Sequence, residues 1–177
     1  MHRLFVALRP PPPIRSALID VMGGVPGARW QDDDQLHLTL RFIGEVDRHQ
    51  AEDIATALGS IATLPFELSL DGVGQFDRRG MVDTLWVGVR PHDQVAALHR
   101  KVDQAVQRAG LPPEGRAYIP HITVARFGRS CGAIDGFVAN AAAVMGMRFT
   151  VEHFMLFEST IGSDGARYEA IERYRLR

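Results

Sequence analysis

The sequence predicts an α+β fold in a single domain that spans residues 1–177. Three observations lead to this prediction. The chain length lies in the range of about 100–200 residues that one domain usually occupies. Short strand patterns interleave with helix patterns along the chain. Several neighbouring strand patterns are joined by loops too short for a crossover helix, so part of the sheet must be antiparallel.

The first half of the chain contains two strand patterns and two helix patterns. They are a buried strand at 4–8, a helix over 14–21, a strand at 36–42 and a helix over 47–60. The third pattern alternates strictly, so Phe42 is expected on the same apolar face as Leu36. Asp47 and Gln50 have the spacing of a capping box, which favours a helix start there.

The patterns in the second half of the chain predict further strands and two further helices. They are strands at 66–70 and 82–89, a helix over 93–109, a strand at 118–127, a short helix over 133–144, and a closing hairpin of 148–157 with 167–175. A loop that includes 77–80 is expected between the first two of these strands. Asp93 is expected to cap the long helix, and Ser163-Asp164-Gly165 is expected to turn the hairpin.

Composition excludes several classes of protein. Hydrophobic residues make up 46% and charged residues 23% of the chain, which excludes disorder and coiled-coil repeats. No apolar stretch approaches the ~20 residues of a membrane-spanning helix. The net charge of -1 provides no global basic field for duplex binding. The lone cysteine, Cys131, excludes an intrachain disulfide and predicts a reducing cytoplasm.

One short motif occurs twice. His37-Leu38-Thr39-Leu40 is repeated as His121-Ile122-Thr123-Val124, 84 residues further along the chain. Composition gives this coincidence a chance of only about a few in a thousand. A separation close to half the chain is what a duplicated, two-lobed domain would produce.

Strand geometry suggests the chemistry of the repeat. Within each copy the histidine and threonine project from the same strand face, about 6–7 Å apart. Two copies facing across a groove would surround a small anion with two imidazoles and two hydroxyls. Histidine can take or give a proton near neutrality, and threonine can donate a hydrogen bond to a phosphate oxygen. The pattern therefore favours in-line displacement at phosphorus.

The residues around the motifs resemble the 2H phosphoesterases. Within this superfamily, the chain resembles the bacterial and archaeal RNA 2′,3′-cyclic phosphodiesterases, historically called the 2′-5′ RNA ligase family. The matching segments are RLFVAL at 3–8, HLTLRFIGEV at 37–46, LWVGV at 85–89, PHITVAR at 120–126 and the closing stretch at 159–168. The resemblance implies a bilobal α+β fold. Its two pseudo-symmetric lobes would each be a mainly antiparallel sheet with outer helices, with the active-site groove between them.

The same resemblance implies a reaction and a set of residues. The expected reaction opens an RNA 2′,3′-cyclic phosphate to a 2′-phosphomonoester, with neither metal nor cofactor. His37 and His121 are the implied catalytic residues, and Thr39, Thr123 and Arg126 the implied substrate-binding residues. The resemblance suggests His121 as the base and His37 as the acid, although two nearly identical motifs leave the reverse assignment open.

The two arginines near the motifs need separate treatment. Strict alternation puts Arg126 on the strand face opposite His121, so a phosphate contact requires a bulge or a strand end. Arg41 is expected to share the face of His37, which makes it a second, weaker candidate for phosphate contact.

Other readings of the sequence stay open. The substrate could be a small cyclic nucleotide or a cyclic phosphate of ADP-ribose, and the reverse ligation to a 2′-5′ linkage is a related activity. An RNA-end-binding module without turnover and a histidine-based metal site are alternatives of other classes. We expect a cytoplasmic monomer that acts on an RNA or oligonucleotide end and does not bind membranes. Asp32-Asp33-Asp34 favours a solvated turn over a metal site. Trp30, Tyr118 and Phe127 favour core packing over base stacking.

Overall fold

The computed structural model describes residues 1–177. Its strands are β1 (His2–Leu8), β2 (Ala28–Trp30), β3 (Leu38–Val46), β4 (Phe66–Arg78), β5 (Met81–Arg90), β6 (His121–Phe127), β7 (Arg148–Val151), β8 (His153–Gly162) and β9 (Gly165–Arg175). Its α-helices are α1 (Pro12–Val21), α2 (Arg48–Gly59), α3 (His92–Arg108) and α4 (Asp135–Ala141), with 3-10 turns at Asp33–Gln35 and Ala142–Val144. No helix combines the length and the apolar character needed to cross a membrane.

All strands pair antiparallel in one sheet, in the order β7-β4-β5-β6-β3-β1-β8-β9, with β2 added beside β6. We call β1, β3, β8 and β9 the first lobe, and β4, β5, β6 and β7 the second lobe. A single residue pair, Leu38 opposite Ile122, joins β3 to β6 where the lobes meet. The predicted α+β class is confirmed, and each motif lies at the start of the innermost strand of its lobe, with His37 directly before β3 and His121 as the first residue of β6.

The helices cover one face of the sheet, as the alternation of side chains along β1 shows. Leu4, Val6 and Leu8 join the main hydrophobic core, together with residues of every α-helix. Phe5 and Ala7 point the other way and form a small separate cluster with residues of β8. The face without helices is therefore free to carry a groove.

Helix starts differ in detail from the prediction. The Asp47 carboxylate accepts a hydrogen bond from the Gln50 backbone N–H at 2.9 Å, but the reciprocal bond of a capping box is absent there. Asp32 and Gln35 make both bonds and cap a 3-10 turn, so the acidic triplet is an ordered element. Helix α3 begins at His92, so Asp93 lies in its first turn and does not cap it as expected. The Asp93 carboxylate there interacts favourably with the positive end of the helix dipole.

Two strand predictions are wrong in extent. Strand β4 continues to Arg78 and turns directly into β5, so most of the expected loop is strand. The part of β4 after Leu70 is largely exposed and contains glycine and aspartate. These residues have low strand propensity, so the sequence pattern does not predict a strand there. The single strand expected over 148–157 breaks at Glu152, because β7 pairs with β4 and β8 pairs with β1 in the other lobe. The β8–β9 hairpin is confirmed.

Candidate active site

The two motif histidines occupy matching positions. His37 Nδ1 donates to the Gln35 carbonyl and His121 Nδ1 donates to the Ile119 carbonyl, each at 2.7 Å. A carbonyl can only accept, so Nδ1 carries the proton in each neutral ring and Nε2 is left as the acceptor. In both motifs the orienting carbonyl lies two residues before the histidine, which is why the two rings are held alike.

The structure brings the predicted residues to one cavity of about 890 Å³. His37 and Thr39 line it from the first lobe, and His121, Thr123 and Arg126 line it from the second. Both threonines are half-buried. Because β3 and β6 run antiparallel, the two motifs approach each other at the seam and diverge beyond it.

Arg126 reaches the groove through a β-bulge. Leu85 lies opposite Ala125 and Trp86 lies opposite Thr123, so Val124 is an extra residue in β6. The bulge shifts the alternation by one and returns Arg126 to the face of Thr123. The positive charge of Arg126 contributes to lowering the pKa of both histidines, which places the guanidinium beside the pair.

A second bulge, in β3, turns the Arg41 side chain away from the groove face that it was expected to share with His37. Ala7 lies opposite Thr39 and Val6 opposite Arg41, so Leu40 is the extra residue in β3. Arg41 consequently points to the helix side, and Phe42, half exposed at 52%, takes the groove face. The expectations that Arg41 shares the face of His37 and that Phe42 joins the apolar face are both wrong.

Arg41 instead connects β3 to α3 and to the segment that follows that helix. Its guanidinium lies 2.8 Å from the Asp103 carboxylate and 3.3 Å from the Glu114 carboxylate, and it donates to the Pro112 carbonyl. Both carboxylates are largely buried. Arg41 therefore has a structural partner for its charge and is not available to a phosphate.

Beyond Leu38, the edge of β3 that faces β6 has no strand partner, and two further side chains bind its backbone carbonyls. The Tyr118 hydroxyl donates to the Thr39 carbonyl at 2.9 Å, and His99 Nδ1 donates to the Leu40 carbonyl at 2.6 Å. The Tyr118 and His99 rings stack with centroids 3.9 Å apart. On β6 the corresponding edge is paired by β2. Burial raises the pKa of Tyr118 well above its ordinary value, so its hydroxyl stays protonated as a donor.

Aromatic rings flank each histidine, an arrangement that no local pattern in the sequence predicts. His37 lies between Phe5 at 4.9 Å and Tyr168 at 5.2 Å, measured between ring centroids. His121 lies between Phe76 at 4.8 Å and Trp86 at 5.7 Å. These rings remove water from the imidazoles and restrict their rotation. Of the three aromatics singled out from the sequence, only Tyr118 lines the cavity, whereas Trp30 and Phe127 pack into the core.

Trp86 depends on a glycine in the neighbouring strand. Gly74 lies directly opposite Trp86 in the β4–β5 pair. A Cβ atom at Gly74 would overlap the indole ring, so only glycine lets the ring lie across β4. The ring is thereby held against Phe76 and His121.

The two histidines differ in proton affinity. Burial lowers the pKa of His37 from 6.5 to about 4, and the charges of Arg126 and His121 add to the decrease. Burial also lowers the pKa of His121, and Arg126 adds to that decrease. The hydrogen bonds to Gln35 and Ile119 act in the opposite direction but are outweighed. Both rings are therefore neutral at pH 7 in the free protein.

No three His, Cys, Asp or Glu side chains lie together so that they could hold a metal ion. Asp33 of the acidic triplet pairs instead with Arg15 at 2.9 Å. Where the two motifs meet, the groove presents two imidazoles, two hydroxyls and the guanidinium of Arg126, which has no ion-pair partner. This set can bind an anion and move protons on two sides of it.

Comparisons with known proteins agree with this geometry. A sequence profile of the 2′-5′ RNA ligase superfamily matches residues 10–160. The chain is 30% identical to an RNA 2′,3′-cyclic phosphodiesterase of Escherichia coli, over 99% of this chain and 97% of that one. It is 27% identical to an enzyme of the same name from Archaeoglobus fulgidus, over 94% and 96%. The crystal structure of E. coli LigT complexed with 3′-AMP superposes with a TM-score of 0.79 at 26% identity, over 99% and 98%.

Proposed function

Because the chain belongs to the 2′-5′ RNA ligase superfamily, we propose that its groove opens the 2′,3′-cyclic phosphate at an RNA end to a 2′-phosphomonoester. The observation that carries this proposal is the matched pair of imidazoles. Each is oriented by a backbone carbonyl two residues before it, and both line one cavity. An acid and a base on opposite lobes suit an in-line displacement, whose entering and leaving oxygens lie on opposite sides of phosphorus.

The proposed cycle uses one proton at each histidine. His121 Nε2 accepts a proton from water as the water oxygen bonds to phosphorus. The bond from phosphorus to O3′ breaks, and His37 Nε2 gives its proton to O3′. The products are a free 3′-hydroxyl and a 2′-phosphomonoester, and the two histidines have exchanged protonation states. Thr39, Thr123 and Arg126 stabilise the charge that develops on the phosphoryl oxygens.

This assignment requires His37 to gain a proton that it lacks in the free protein. A cyclic phosphate carries a negative charge, and an anion beside an imidazole raises its pKa. Substrate binding thus supplies the protonated acid. The Arg126 charge, which disfavours the imidazolium in the empty groove, is then offset by the phosphate.

The experiment measures turnover of an RNA oligonucleotide with a 2′,3′-cyclic phosphate end. We expect only the 2′-phosphate product, with unchanged rates in excess EDTA because no metal-binding cluster is present. His37→Ala and His121→Ala should each lower kcat by about 10²–10⁴, the usual contribution of a general acid or base. His49→Ala removes an exposed histidine and serves as the matched control.

Three outcomes would contradict the proposal. A dominant 3′-phosphate product would mean that the opposite P–O bond is broken. Activity lost in EDTA and restored by a divalent metal would replace the two-histidine chemistry with metal catalysis. Binding of the RNA end without turnover would identify a binding module.

A further inference from the structure

Tyr168 carries the one tyrosine hydroxyl of the protein that makes no hydrogen bond within it. The chain contains three tyrosines. The Tyr118 hydroxyl donates to the Thr39 carbonyl at 2.9 Å, and the Tyr174 hydroxyl donates to the Ala55 carbonyl at 3.0 Å. Tyr168 is half-buried, but its oxygen is open to solvent and has no partner in the protein. Tyrosine hydroxyls in such surroundings usually have a partner, so this one is free to bind a ligand.

The Tyr168 side chain faces the groove beside His37. Its ring meets the imidazole at nearly a right angle, with centroids 5.2 Å apart. Phe5 packs against both rings, 4.9 Å from His37 and 5.0 Å from Tyr168. Ser159 lies directly opposite Tyr168 on β8 and lines the same cavity, as cross-strand neighbours on one face of a sheet do. The free hydroxyl is therefore held at the wall of the groove next to one of the two histidines.

The other histidine has no such neighbour. His121 lies between Phe76 and Trp86. Phe76 has no polar side-chain atom, and Trp86 Nε1 is buried, so neither ring offers a donor to the groove. The hydroxyl thus distinguishes the surroundings of His37 from those of His121, although the two motifs orient their rings alike.

The proposed reaction leaves one oxygen with fewer donors than the others. Thr39, Thr123 and Arg126 act on the phosphoryl oxygens, whereas O3′ has only the proton of the acid. O3′ gains negative charge as its bond to phosphorus breaks, and a donor aimed at developing charge stabilises the transition state. In-line geometry places O3′ on the side of the acid. With His37 as the acid, that side is the wall that contains Tyr168.

We propose that the Tyr168 hydroxyl donates a hydrogen bond to O3′ of the terminal ribose as that oxygen leaves phosphorus. The inference rests on the proposed function, with His37 as its acid. O3′ departs with the electron pair of the P–O bond and takes the proton of His37 Nε2, while the Tyr168 hydroxyl keeps its own proton throughout. Tyr168 is thereby a further catalytic residue, specific to the step that expels a sugar oxygen.

The experiment compares two leaving groups in matched substrates. The first is an RNA oligonucleotide with a 2′,3′-cyclic phosphate end, which expels O3′. The second is the same oligonucleotide ending in a 3′-deoxynucleoside 2′-(p-nitrophenyl phosphate), which expels p-nitrophenolate and has no O3′. Tyr168→Phe keeps the ring against His37 and removes only the hydroxyl.

We expect Tyr168→Phe to lower kcat on the cyclic phosphate by about 10–10²-fold. This loss is smaller than that of an oxyanion-hole donor in a closed site, because water can enter the open groove. On the p-nitrophenyl substrate kcat should be unchanged, since p-nitrophenolate carries its charge without a donor. Full activity on this second substrate also shows that the variant is folded.

Two comparisons make the result specific. Tyr174→Phe is the matched control: it removes a hydroxyl outside the groove and should keep the wild-type kcat on both substrates. The double variant separates contact with O3′ from positioning of His37. In the His37→Ala background, Tyr168→Phe should still lower kcat on the cyclic phosphate, because the hydroxyl acts on O3′ directly.

The inference is overturned if Tyr168→Phe matches the wild type on the cyclic phosphate. An equal loss on the two substrates also overturns it, since the hydroxyl would then act on the water or on the phosphoryl oxygens. So does the absence of any effect in the His37→Ala background, because Tyr168 would then only hold the imidazole. Failure of the proposed function is a different result, in which the wild type releases no 2′-phosphate from the cyclic end.

Discussion

His37 and His121 each donate their Nδ1–H to an uncharged peptide carbonyl, which raises the imidazole pKa by less than burial lowers it. A carboxylate in the same place would favour the imidazolium, whereas a carbonyl orients the ring with little electrostatic support. Burial and Arg126 then dominate and lower both pKa values. The repeated motif identifies the histidines in the sequence, but the carbonyls of Gln35 and Ile119 could not be predicted, since a backbone acceptor leaves no trace in residue identity.

The pH dependence of the reaction follows from these pKa values. We expect kcat/KM to follow a bell-shaped profile with its maximum below pH 6.5, because it depends on the free protein and both imidazole pKa values lie below 6.5 there. The kcat profile depends on the bound complex, where the phosphate anion raises both pKa values, so its maximum should lie at higher pH. Initial rates from about pH 4 to pH 9 measure both profiles. A kcat/KM that rises steadily to the alkaline end would contradict the two-histidine mechanism.

A change of leaving group assigns the two histidine roles. A p-nitrophenyl phosphodiester releases an anion that needs no protonation. The variant that lacks the acid should therefore recover most of its activity on it, and the variant that lacks the base should not. We expect recovery for His37→Ala and none for His121→Ala, measured as the ratio of kcat on the two substrates. The reverse pattern would make His37 the base, the role to which its lower pKa in the free protein is better suited.

At the scale of the strand, two single-residue bulges decide which side chains enter the groove. Strict alternation correctly places Leu38 and Leu40 in the core, but it fails beyond them. The extra residues Leu40 and Val124 bring Phe42 and Arg126 into the groove, in equivalent positions of the two lobes. A bulge depends on pairing with the neighbouring strand, so neither could be located from one sequence. The pseudo-symmetric positions therefore carry different chemistry, an aromatic face in one lobe and a cation in the other.

The contact between Gly74 and Trp86 gives a prediction for this sheet. Gly74→Ala forces the indole away from β4 and toward His121, since a Cβ would overlap the ring. We expect a loss of about 1–3 kcal/mol in the free energy of unfolding, as for other overpacked sites, together with a lower kcat. Urea unfolding and initial rates measure the two effects.

Two comparisons make the Gly74 prediction specific. Gly128→Ala is the matched control, because nothing lies within 4 Å of the added atom and the backbone φ there is not positive. Adding Trp86→Leu to Gly74→Ala should restore part of the lost stability, because the smaller side chain removes the overlap. Equal stability of Gly74→Ala and the wild type would contradict the prediction.

At the scale of the whole molecule, helix α3 and the segment after it connect the lobes through Arg41. The helix follows β5 of the second lobe, packs against β3 of the first, and leads through Glu114 and Tyr118 to β6. The strand and helix patterns of the sequence predict each of these elements, but not that the arginine directly after the first motif connects them. That role requires the long-range approach of Asp103 and Glu114, which local patterns do not encode.

We expect Arg41→Met to lower the free energy of unfolding by about 3–5 kcal/mol, because it leaves the largely buried Asp103 carboxylate without its cation. It also removes one of the two arginines beside Glu114, which keeps its pair with Arg116. Arg48→Met is the control: its pair with Glu52 lies in solvent, with the arginine 82% exposed, and its loss should cost less than about 1 kcal/mol. Urea unfolding monitored by tryptophan fluorescence compares the two variants. Equal effects of the two substitutions would contradict the anchoring role of Arg41.

The strand order also determines which lobe can complete its strand pairing first during synthesis on the ribosome. The second lobe uses one continuous stretch of chain, 66–151, and by its end every strand that pairs with β6 has emerged. The first lobe uses both ends of the chain, so β1 keeps an open edge until β8 is synthesised. In a nascent chain the apolar strand β1 therefore keeps one edge unpaired until translation is almost complete. A product truncated at Glu152 would carry both motifs and aggregate before they could be used.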